Sequence, residues 1–142
     1  MQAEFIEKYN GVLRGVMRWD KLDELWSNIR KQKAEGWYIY ALGHEVPEKI
    51  ADSDDLEHFI SRINTLLREE HDEDYCGIVY TDDFSHPSLV KIFDPNNLGT
   101  SCGSSKTAPL PGWVISRSKP TALGQDIILP GNRKRWWNML WS

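Results

Sequence analysis

Two cysteines in 142 residues are too few for a disulfide scaffold, and a chain of this length needs no such staples to build a core. No apolar run approaches the roughly 18–20 residues of a membrane-spanning helix. The opening MQAEFIEKYN carries acids inside its apolar pattern, so it does not read as a secretory signal. The expectation is a cytoplasmic protein of bacterial type with reduced thiols. Internal repeats, low-complexity linkers and a second domain are all missing. Metal and redox spacings such as Cys-x-x-Cys and His-Glu-x-x-His are missing too. The small-residue loop is not a phosphate-binding P-loop, because Gly99 and Gly103 enclose three residues and two serines separate Gly103 from Lys106. No motif fixes a reaction, and no metal or cofactor is expected.

What is present is a folded composition, 40% hydrophobic and 11% aromatic, with a segregated charge. Residues 45–83 hold 13 acidic and 3 basic side chains, a local balance of −10. Residues 84–142 hold 7 basic and 2 acidic, a balance of +5. Such asymmetry either steers oppositely charged partners to different faces or draws the two halves of one molecule together.

The central stretch is Tyr75 to Lys106. Residues 75–80 and 88–93 are rich in β-branched and aromatic side chains and predict two strands joined by an open loop. Asp94-Pro95-Asn96-Asn97 stops the second strand. Before this stretch, Phe5, Ile6, Tyr9, Val12, Leu13, Val16 and Met17 recur at helical spacing, with a strand through Val12 to Trp19 left open as the alternative. Asp20 is expected to cap a second helix with the stripe Leu22, Leu25, Trp26 and Ile29. Residues 37–42 predict a strand covered on both faces. Asp52 or Ser53 should cap the strongest helix, lined by Leu56, Phe59, Ile60, Ile63, Leu66 and Leu67. Residues 112–116, flanked by prolines, predict a short edge strand. Together these elements predict a single α+β domain over residues 1–131, with a mixed, roughly four-stranded sheet and helices on one face. Residues 37–80 would form a right-handed βαβ crossover. Residues 132–142 form a basic aromatic tail.

Three sets of residues carry candidate chemistry. Cys102 lies in a loop whose Gly99, Ser101, Gly103, Ser104, Ser105 and Lys106 suit convergence of backbone N–H groups on a small anion. Its thiol is the candidate nucleophile, with His44 or His86 as base, whereas Cys76 reads as a buried packing residue. His71, Asp72, Asp74, Asp82, Asp83 and His86 form an acidic rim that also suits a divalent ion, but a solvated rim is the stronger reading. Arg133, Arg135, Trp136, Trp137 and Trp141 in the tail combine basic and aromatic side chains, the residue types of protein-binding hot spots. The acidic whole argues against nucleic acid. The expected function is therefore a non-catalytic accessory or regulatory module that binds another protein or a second copy of itself. An enzyme or anion-binding protein at the loop of residues 99–106 is the alternative, followed by a metal-dependent hydrolase at the acidic hairpin loop.

Overall fold

The computed structural model of the protein describes residues 2–32, 36–42, 44–71, 73–95, 111–123 and 131–141. Among these residues the elements run α1 (Gln2–Tyr9), β1 (Arg14–Val16), α2 (Trp19–Gln32), β2 (Tyr38–Ala41), α3 (Ser53–Glu70), β3 (Val79–Thr81), β4 (Leu89–Ile92), β5 (Trp113–Ser116) and α4 (Gly131–Leu140). The chain is a single α+β domain as expected, with five strands where about four were predicted. The sheet is open, in the order β1-β3-β4-β5-β2.

Every pairing in it is antiparallel, so the sheet is not mixed. The fifth strand comes from the N-terminal segment, where both readings hold in part. The helix ends at Tyr9, and Arg14 to Val16 pair with Thr81 to Val79. Gly11 and Gly15 make that second half a poor helix, and strand pairing with β3 satisfies its backbone instead. Nor do residues 37–80 form a parallel crossover. β2 and β3 lie three places apart and run in opposite directions, with α3 carrying the chain between them. An apolar run long enough for a buried strand says nothing about its direction, which depends on partners far along the chain.

β5 is interior rather than an edge, since it pairs with β4 on one side and β2 on the other. Its flanking prolines stand outside Trp113–Ser116, so all four amides remain free for the ladders. β2 takes the edge, yet both its faces are covered. Ile39 and Ala41 join one core, and Tyr40 and Leu42 join another.

These two cores correct the expectation of helices on one face. The larger lies under α2, α3 and the end of α4, and the predicted stripes of α2 and α3 are buried in it residue for residue. Each large side chain so buried contributes about 1.5–3 kcal/mol before entropy is subtracted. The smaller core is made by Phe5 and Tyr9 of α1 against Tyr40, Leu42, Leu89 and Val114 on the opposite face of the sheet. Capping was half legible. Asp52 caps α3, its carboxylate accepting from the Asp55 N–H at 2.7 Å. Asp20 does not cap α2. That helix starts at Trp19, the Leu22 N–H bonds the Arg18 carbonyl at 3.0 Å, and the Asp20 carboxylate pairs with the Arg18 guanidinium.

Candidate functional site

The tail forms α4, and its two sides have different surroundings. Leu140 is buried in the main core, and Arg133 is buried beneath the first turn. The Arg133 fork reaches Asp94 at 2.8 and 2.9 Å and Glu70 at 3.0 Å, and its guanidinium faces the Trp113 and Trp136 rings. At the far end the His58 ring donates from Nε2 to the Leu140 carbonyl at 2.6 Å, which satisfies an orphan acceptor of the last turn.

Between these anchors runs a chain of aromatic rings. Trp136 meets Trp113 edge-on at 5.5 Å, Trp137 lies 6.5 Å from Trp136, and Trp141 meets Trp137 edge-on at 5.4 Å. Phe59, His44 and His58 brace this row from α3 and from the end of β2. Edge-to-face contacts of this kind hold rings in fixed orientations. Trp136 and Trp137 are half-buried, while Trp141 is 38% and Met139 66% exposed. Lys134 and Arg135 are exposed on the same helix. The surface is thus a rigid aromatic ridge with two cations beside it.

Part of the charge segregation is resolved within the molecule. Glu57 on α3 takes a two-pronged pair from Arg30 of α2, Arg68 of α3 reaches Asp23 of α2 at 2.7 Å, and Glu70 is held by Arg133. Asp54 and Asp55, at the start of α3, remain on the surface.

Cys102 and the loop residues Gly99, Ser101, Gly103, Ser104, Ser105 and Lys106 lie outside the described residues. The two histidines named as bases are separated by the topology. Ala41, just before His44, shares a row of the sheet with Trp113 and Ile92, whereas His86 lies in the β3–β4 loop beyond the opposite row of Tyr38, Ser116 and Leu89. They therefore sit at opposite ends of the sheet. His44 packs on Trp137 at 5.5 Å with its Nε2 buried and without a hydrogen-bond partner. Burial, and then the neighbouring Lys134 ammonium, hold its pKa below the usual histidine range. His86 is exposed, and its backbone N–H is tied to Asp83 at 3.2 Å.

Cys76 is fully buried, as expected, and burial pushes its thiol pKa up, against smaller opposing contributions from backbone hydrogen bonds and Arg68. Of the acidic rim, Asp72 lies outside the described residues, while Asp82 and Asp83 are used structurally. Asp82 accepts from the Ser88 and Leu89 N–H groups at 2.9 and 3.0 Å and from the Ser88 hydroxyl, closing the β3–β4 loop. His71 is buried and donates to the Cys76 carbonyl at 2.9 Å. Among the described residues no group of three or more His, Cys, Asp or Glu side chains is placed to hold a metal ion. Likewise, no described helix is long and apolar enough to cross a membrane.

A feature that sequence reasoning missed lies on the α1 face. A groove of about 530 Å³ opens over β3 and β4, with Tyr80, Lys91 and Phe93 along it and Leu13, His71 and Tyr75 around it. Two glycines shape it. A Cβ on Gly15 would press the Tyr80 ring at 3.1 Å, and Gly77 has φ +69° with the Tyr75 ring 3.1 Å from where its Cβ would stand. The signal was present in Leu89-Val90-Lys91-Ile92-Phe93, where one cation interrupts an otherwise apolar strand. No protein family, curated protein or solved structure matches this chain.

Proposed function

We propose that the protein is a non-catalytic accessory or regulatory module that binds another protein through the α4 ridge and the acidic start of α3. One observation carries this reading. Met139 in the last turn of α4 and Trp141 just after it stand exposed, while the helix is anchored by Leu140 and by the Arg133 fork. Anchored aromatic side chains lose little conformational freedom on binding, which is why such residues dominate interface energetics. Lys134 and Arg135 on one side, and Asp54 and Asp55 on α3, add charges of both signs that orient a partner and discriminate between partners. The reading differs from a free tail that docks as a whole, because Arg133, Trp136 and Trp137 already pack on this chain.

The test is a photo-cross-linker installed at Trp141 in the full-length protein, in cells and in purified form, with light scattering to measure mass. A discrete adduct supports the reading when Met139→Ala and Arg135→Glu weaken it and excess unlabelled protein competes it away. Light scattering then separates a second copy from a different partner. Diffuse labelling only, or an adduct indifferent to both substitutions, sinks the proposal.

A further inference from the structure

The groove on the α1 face exists because the helix covering that face is short. Eight residues span about 12 Å, while five strands about 4.8 Å apart span about 19 Å. α1 covers Tyr40, Leu89 and Val114 and leaves the β3 side of the face open. The cross-strand row there is Gly15, Tyr80, Lys91, Val114 and Tyr40, so Lys91 projects to the same face as α1.

Lys91 is half-buried, and its ammonium lies 3.7 Å from the centroid of the Tyr9 ring. The ion pairs found among the described residues leave it out. Burial lowers its pKa. A cation taken partly from water and set over an aromatic ring gains most from an added anion. The walls restrict what that anion is attached to. Tyr80 and Phe93 meet edge-on at 5.7 Å and 76°, and Tyr75, 51% exposed, stands at the rim. Flat rings of this kind accept another flat ring. A single cation matches a single negative charge, and the volume suits a small molecule.

We propose that this groove binds a small aromatic carboxylic acid, its ring between Tyr75, Tyr80 and Phe93 and its carboxylate on the Lys91 ammonium. The site is independent of the α4 ridge, which lies on the other face of the sheet.

Ligand-observed fluorine NMR on the full-length protein tests it, with 4-fluorobenzoate, 4-fluorophenylacetate and 5-fluoroindole-2-carboxylate as probes and their neutral amides as controls. At least one acid should show saturable line broadening, and its amide should bind about tenfold more weakly or worse. Lys91→Met, which keeps the apolar stem, should cost about the same factor, whereas Ile50→Ala, at an exposed position outside the groove, should change nothing. Tyr75→Ala, at an exposed position, should weaken the same acid severalfold and still decides the matter if Lys91→Met does not fold. Three silent acids, amides that match their acids, or affinity unchanged by both groove variants would overturn the proposal.

Discussion

Arg133 grips Asp94 with both prongs of its guanidinium, joining the first turn of the C-terminal helix to the end of β4. The side chains are 8% and 14% exposed, so the pair sits largely out of water. Glu70, at the end of α3, takes a third bond from the same guanidinium. The fork explains why a basic tail lies against this domain. Removing one partner of a buried pair leaves the other charge uncompensated. Arg133→Ala should therefore destabilise the fold by about 3–5 kcal/mol in urea titration. Arg135→Ala, on the exposed side, should stay within about 0.5 kcal/mol. Equal effects would mean that the fork carries no stability.

Deleting residues 132–142 should lower the melting temperature by about 10 °C or more, since several kcal/mol are removed and each is worth about 3 °C at this size. The deletion takes away Leu140, the Arg133 fork and the rings that cover Trp113 and Phe59. A calorimetric scan that leaves the melting temperature in place would show that α4 contributes nothing to the fold.

The core predictions concern the main cluster. Ile60 on α3 is 1% exposed and Ile78 before β3 is 5% exposed. Truncating either to Ala should cost about 2–5 kcal/mol, the transfer term plus the cavity term. A loss below about 1 kcal/mol at both sites would contradict their burial.

Asp82 makes stability depend on acid. Burial raises its pKa, but the Ser88 hydroxyl, the Ser88 and Leu89 N–H groups and Lys8 outweigh that and leave it below the usual carboxylate range. A depressed folded pKa stabilises the fold above the unfolded value of about 4, and the contribution fades as pH falls through the folded value. Asp82→Asn should cost about 1–3 kcal/mol at neutral pH. It should also flatten the stability profile on the acid side, below about pH 5, relative to the native protein. Parallel profiles would show that another group sets the acid response.

Cys76 should resist alkylation. Its thiol is fully buried and its pKa is raised, and the thiolate is the reacting form. Timed iodoacetamide labelling with peptide mapping should find it protected in native buffer and modified in denaturant. Rapid native labelling would place it at the surface.

The sequence by itself determined the helical stripes, the Asp52 cap, the burial of Cys76 and the α+β class. Each of these depends on neighbours within a few turns, where apolar period and side-chain capping act directly. Leu56 to Leu67 could be read from spacing alone because a helix face is a local property. The tertiary structure alone decided strand direction, the interior place of β5 and the edge place of β2. The same holds for the short α1 on its own face. Those features depend on which distant backbone completes a ladder, and the buried strands carry the same apolar signature whichever neighbour they take. The tail shows the division within one segment. Its composition marked it as adhesive, but only the positions of Asp94 and Glu70 could bury Arg133 and leave Trp141 outside. Lys91 shows it again, since its charge was visible in the sequence, while its place in an aromatic groove required Tyr80 beside it on β3 and Tyr9 over it from α1.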